Sequence, residues 1–126
     1  MHYWAVRMVR TAPKEEVLDA FRTSSRILLM RDELGLDALN SVKELMADLG
    51  RMRGDLYEVA LWAGMLKVQG DELFYGYMVD NQAIVIPETI AAVRAITGRE
   101  MSGKRSIALT DEALCVAADV VIAQGA

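Results

Sequence analysis

One segment, Leu56-Tyr57-Glu58-Val59-Ala60-Leu61-Trp62, restricts the possible folds most, because it reads as a strand with two apolar sides. Side chains alternate across a sheet, so Tyr57, Val59 and Leu61 share one face while Leu56, Ala60 and Trp62 share the other. Glu58 is the single exception. Residues 73–79 behave alike: Leu73, Tyr75, Tyr77 and Val79 oppose Phe74 and Met78. Short helices can cover one face of such a sheet. The other face must then be hidden by a second molecule, since large exposed apolar patches mark interfaces. Trp62, Tyr75 and Tyr77 are the candidate interface residues. The competing arrangement wraps both faces with helices of the same chain.

Composition bounds the remaining choices. The chain has 126 residues and one cysteine, which fits one domain and excludes a disulfide framework or a cysteine-based zinc site. We expect a single domain over residues 1–118 and an extension over residues 119–126. A net charge of −4 argues against nucleic acid as partner, because that binding is carried by clustered Lys and Arg. No apolar run approaches the ~18 residues needed to cross a bilayer, and the first residues lack the apolar stretch of a signal peptide. A soluble, cytoplasmic protein is the expectation, with no membrane partner.

Along the chain, residues 3–9 read as a strand. Pro13, Glu15 and Glu16 suit a first helical turn, followed by Val17, Leu18 and Phe21 at helical spacing. Residues 26–30 form a brief apolar strand. Asp37 can cap a helix carrying Leu39, Val42, Leu45, Met46 and Leu49, which Gly50 ends. Strands follow at 56–62, 65–68 and 73–79, the last two joined through Gly70-Asp71. Pro87 and Glu88 open a helix with Ile86, Ile90, Val93 and Ile96 facing inward. Residues 106–118 form a final helix with Ile107, Leu114 and Ala117 on one side. The class is α+β: a mixed, largely antiparallel sheet with helices packed on one face.

Groups for demanding chemistry are scarce. His2 is the only histidine and lies where chains commonly fray, so a structural role is the plain reading. Cys115 sits beside Leu114 and Val116, with no base or cation fixed nearby by the pattern, and reads as a small apolar residue. Neither glycine-rich phosphate turn occurs. Arg51 and Arg53 follow a helix C-terminus, where cations complement the dipole; binding a phosphate is the sharper alternative. With one histidine and one cysteine, no metal site is expected.

The residues do carry a resemblance. The stretch from Gly50 through Trp62 (Gly-Arg-Met-Arg-Gly-Asp-Leu-Tyr-Glu-Val-Ala-Leu-Trp) resembles the C-terminal domain of archaeal-type (type II) phosphorylating glyceraldehyde-3-phosphate dehydrogenases. Met1-His2, Ser25-Arg26-Ile27-Leu28-Leu29, Ile86-Pro87-Glu88, Ala92-Val93-Arg94-Ala95-Ile96 and Ser106-Ile107 resemble further segments of that domain in the same order. The resemblance implies that NAD(P) binds a Rossmann domain and that a cysteine in a Ser-Cys-Asn-Thr-Thr segment is the nucleophile, both outside the matched region. It assigns to His2 the role of catalytic base. The family's His-Gln-Glu-Ser-Asp stretch is matched by Asp80-Asn81-Gln82-Ala83-Ile84, in which its histidine and aspartate are replaced. The family's sheet face assembles tetramers, and its last helix packs on the Rossmann domain. Residues 117–123 run past the family's end and can cover that orphaned surface or pair with another subunit.

Three expectations follow. The first is a non-catalytic, self-associating (dimer or tetramer) or ligand- or partner-binding protein with no cofactor of its own. The second is one subunit of a split dehydrogenase, reaching NAD(P) only through a separate nucleotide-binding chain. The third is a fragment without independent function.

Overall fold

A computed structural model describes residues 1–116 of the chain. The elements run β1 (His2–Arg7), α1 (Lys14–Arg22), β2 (Ile27–Met30), α2 (Leu39–Asp48), β3 (Val59–Trp62), β4 (Lys67–Gln69), β5 (Glu72–Met78), α3 (Val85–Ile96) and α4 (Gly103–Leu114). The sheet has the order β1-β5-β3-β2, and β4 pairs with β5 beside β3. Only β2 and β3 run parallel, Leu28 facing Ala60 and Met30 facing Trp62. The other pairs are antiparallel, so the class is α+β with a mixed, largely antiparallel sheet, as expected.

The two-faced strand is satisfied within the chain. Leu28, Met30, Leu56, Ala60 and Trp62 form one core with Val42 and Met46 of α2. Leu29, Leu61, Leu66 and Leu73 form the other with Val17 and Leu18 of α1. The helices therefore do not share one face: α1 and α2 sandwich β2 and β3. The reason lies in the pleat, since both residue sets of β2 and β3 are apolar and each demands its own cover. Every fully buried Leu, Met or Val here contributes roughly 1.5–3 kcal/mol.

Several local expectations shift. β3 begins at Val59 rather than residue 56, because β2 starts only at Ile27 and β5 ends at Met78, leaving residues 56–58 without a strand to pair with. Asp37 does not cap α2; Ala38 takes that position without a side-chain bond. The hairpin forms where expected, with Gly70 at φ +64° in the first turn position, as a type II′ turn requires. Pro87 lies in the first turn of α3, but Val93 and Ile96 are 55% and 86% exposed rather than inward.

Helix α4 is shorter than expected, ending at Leu114 with Cys115 left-handed at its C-cap. It turns Ser106 and Thr110 inward while Ile107 is largely exposed. Its contact with α3 is a polar seam: Arg94 Nη1 donates to the Ser106 carbonyl at 2.8 Å, Ser106 Oγ at 2.9 Å and Thr110 Oγ1 at 2.8 Å. Residues 117–126, including Ala117 and the expected extension, lie outside the described residues. No described helix is long and apolar enough to cross a membrane.

Candidate functional site

Beyond the sandwiched strands the sheet continues into β5 and β1, where cover runs out. All six residues of β1 are exposed. Its register against β5 places His2 opposite Tyr77, Trp4 opposite Tyr75 and Val6 opposite Leu73. Those side chains share the face that carries α1. The His2 imidazole stacks on the Tyr77 ring with centroids 5.1 Å apart, and Trp4 Nε1 donates to Tyr77 Oη at 3.1 Å. Tyr75 lies 6.2 Å from Tyr77 and 5.6 Å from Phe21 of α1, completing an aromatic row. Burial pushes the Tyr75 phenol above its ordinary value, and neighbouring Tyr77 adds to the shift.

The opposite face of the same strands carries Tyr3, Ala5 and Phe74. An open groove of about 470 Å³ runs here, lined by these residues with Trp4, Met65 and Tyr75. Gly76 lets Met65 and Tyr3 close over β5, because a Cβ there would come within 2.9 Å of Met65 Sδ and 3.3 Å of the Tyr3 ring. Tyr3 is 73% exposed and Trp4 51%. Among the described residues, β1 is thus exposed on both sides, while β5 is half-covered by α1 on one of them.

The candidate residues fall into different places. Tyr75 and Tyr77 lie half-buried in the aromatic row. Trp62 does not: it is 4% exposed within the chain's own core, its Nε1 donating to the Leu36 carbonyl at 2.7 Å. His2 sits at the margin of the row. Cys115 belongs elsewhere, at the end of α4, where its carbonyl accepts from Arg51 Nη2 at 3.3 Å.

Arg51 is turned inward. Its two terminal nitrogens grip Glu58 at 2.7 and 2.6 Å, one also reaches the Asp55 carbonyl, and the guanidinium lies 5.2 Å from the centre of the Tyr57 ring. Burial works against the Arg51 cation, but the Glu58 carboxylate outweighs it and raises its pKa. Both nitrogens that would fork a phosphate are occupied by protein acceptors. Arg53 is more open yet holds Asp55 at 2.8 Å. Its own backbone takes φ +59°.

Nearby, Lys43 pairs with the buried Asp80, which also accepts from the Gln82 N–H at 3.2 Å. Burial pushes the Asp80 carboxyl up; Lys43 and backbone N–H groups outweigh it and leave the value below ordinary.

These pairs were largely hidden in the sequence. The one signal was Glu58 itself, a lone acid amid apolar residues, seven positions after an arginine. A second cavity, about 260 Å³, opens beyond the ends of β2 and β3 and is lined by Lys14, Arg22, Arg31, Glu15, Asp32 and Glu33. Its lining balances three cations against three anions. Among the described residues no group of three or more His, Cys, Asp or Glu is placed to hold a metal ion.

No protein-family model matches the chain. Curated relatives do. Over 107 residues, 85% of this chain, it is 40% identical to a glyceraldehyde-3-phosphate dehydrogenase of Haloarcula marismortui. It is 39% identical over 114 residues to that of Pyrobaculum neutrophilum, and 37% over 114 to that of Halobacterium salinarum, 90% of this chain in each case. The chain spans about a third of the length of these relatives: 30% of the Haloarcula, 33% of the Pyrobaculum and 34% of the Halobacterium protein. The similarity is to a C-terminal-like part of the archaeal dehydrogenases, and the α+β fold with its mixed sheet agrees with it.

Proposed function

We propose that this chain acts as a self-associating or partner-binding module related to the C-terminal part of glyceraldehyde-3-phosphate dehydrogenases, and that its residues carry no redox chemistry by themselves. The observation that supports this reading most is the partly covered aromatic end of the sheet, where Tyr3 and Trp4 are exposed and Phe74 and Tyr75 are half-buried beside an open groove. Apolar surface of this kind is stabilised by removal from water, and a homo-oligomer is the simplest way to remove it. Hydride transfer needs a bound nicotinamide, and this sequence lacks the glycine-rich turn that cradles a dinucleotide. Light scattering across a wide concentration range, with calorimetric titration of NAD and NADP, tests both halves. A monomer at every concentration, or tight dinucleotide binding by this chain, overturns the proposal.

A second reading has one observation in its favour. His2 is exposed on Tyr77, where an incoming cysteine-bearing chain could reach it. On this reading the chain is one part of a split dehydrogenase. Mixing it with a nucleotide-binding partner and following NAD(P) reduction tests that; activity indifferent to His2→Ala would sink it.

A further inference from the structure

Among the described residues, strand β1 forms one margin of the sheet, and the Met8–Asp71 bond and the register show which of its main-chain groups no described neighbour takes. The Met8 N–H donates to the Asp71 carbonyl at 2.7 Å. The register that sets His2 against Tyr77 and Arg7 against Glu72 continues without a break to that pair. Hydrogen-bonded and non-hydrogen-bonded pairs alternate in an antiparallel ladder, so Met8, Val6, Trp4 and His2 bond toward β5. The N–H and C=O groups of Tyr3, Ala5 and Arg7 therefore point outward, away from the sheet.

Edge strands are normally blunted by proline, a bulge, inward charge or a covering segment. β1 has an unbroken register of six residues, no proline, and Arg7 as its single Lys, Arg, Asp or Glu. The opposite margin contrasts with it: Leu28, Leu29 and Met30 of β2 are at most 2% exposed.

We infer that the free edge of β1 pairs antiparallel with the same edge of a second copy, about a two-fold axis through an Ala5–Ala5 pair. The inference rests on the self-association reading and names its partner and seam. This register satisfies all three outward residues at once, Tyr3 against Arg7 of the second copy and Ala5 against Ala5, for about six main-chain hydrogen bonds. The side chains agree with it. The Ala5 pair on the axis is a wide, hydrogen-bonded one, and the Ala5 methyl group leaves the outward N–H and C=O unobstructed. Among the described residues Arg7 pairs with exposed Asp71 at 3.6 Å, so its guanidinium can settle on the exposed Tyr3 ring of the other copy. On the other face Trp4 meets Val6. The two open sheet ends join into one continuous sheet, and their aromatic rows become adjacent. A seam of six residues falls below the ~1,200 Å² of a standard interface, which makes the dimer concentration-dependent.

The test compares the wild-type chain with Ala5→Pro, which removes an outward N–H while leaving every bond to β5 in place. Sedimentation from low to high micromolar concentration is expected to show a wild-type dimer weakened ~10-fold or more by the substitution. Amide exchange on the wild-type chain gives a readout that needs no variant. Tyr3, Ala5 and Arg7 amides are expected to be protected at high concentration and to exchange fast on dilution, while Trp4, Val6 and Met8 stay protected at both. A wild-type dimer whose Tyr3, Ala5 and Arg7 amides exchange freely, or which Ala5→Pro leaves intact, overturns the seam and leaves association through the sheet faces standing. A monomeric wild type overturns both.

Discussion

Replacing Glu58 by glutamine removes one charge from a pair that is almost sealed from water. The Glu58 side chain is 1% exposed and that of Arg51 10%, and the two share bonds of 2.6 and 2.7 Å. Deleting one partner of such a pair leaves a buried cation without its counter-charge, a loss of about 3–5 kcal/mol. An amide oxygen still accepts one bond, so the lower figure, ~3 kcal/mol, is expected for Glu58→Gln. In a domain of this size that is roughly a 10 °C fall in Tm.

The guanidinium also loses the group that holds it over Tyr57 and beneath the Cys115 carbonyl, so the end of α4 should loosen with it. The double variant Arg51→Met with Glu58→Leu removes both charges together. It should recover to within ~1 kcal/mol of the wild type, because apolar residues of similar volume replace a buried pair with little cost. Urea unfolding of the wild type, Arg51→Met, Glu58→Leu and the double variant supplies the cycle, with Glu58→Gln measured beside it. A Glu58→Gln variant within ~0.5 kcal/mol of wild type, or a double variant no better than the single ones, would falsify the account of this pair as a buried, mutually dependent unit.

Other outcomes follow from the same geometry. Trp62→Phe should cost ~1–3 kcal/mol in urea unfolding, since the Leu36 carbonyl loses its donor inside the core. The Asp80 carboxyl titrates below its ordinary value of 3.8, so its contribution is complete above that value and fades as pH falls through the lowered one. Asp80→Asn should accordingly flatten the acid limb of a stability–pH curve; an unchanged limb would exclude Asp80 as its source. Gly54→Ala should lose several kcal/mol, because Gly54 stands at φ +63° and a Cβ there would run into the Lys43 backbone carbonyl. The same change at Gly70, also at positive φ but open to space, should cost only ~1 kcal/mol. Arg94→Ala should leave the sheet intact and expose α4 to limited proteolysis, as it removes the donor to Ser106 and Thr110.

Features carried by neighbouring residues were legible without coordinates. The spacing of Leu39, Val42 and Met46 marks α2, and Gly70 marks the hairpin, because helix periodicity and turn chemistry act over a few positions. The apolar alternation of residues 56–62 told that both sides of that strand need cover. It could not tell what covers them. That the cover is α1 on one side and α2 on the other depends on how the chain closes around β2 and β3, a matter of long-range packing.

The same limit explains α3 and α4. An apolar stripe at Val93 and Ile96 reads as a core face whether or not anything packs on it; in the fold nothing among the described residues buries it, and a polar seam at Arg94 joins the helices instead. Nor could spacing reveal that Arg51 is spent on Glu58 rather than left for a phosphate, since ion pairs are decided by which side chains end up sharing one dry space. What the amino-acid order settled by itself is the set of elements and their greasy sides. Which sides are closed and which stay open, at β1 and β5 above all, is decided only when distant segments meet, because burial is a property of the assembled surface and not of any local run of residues.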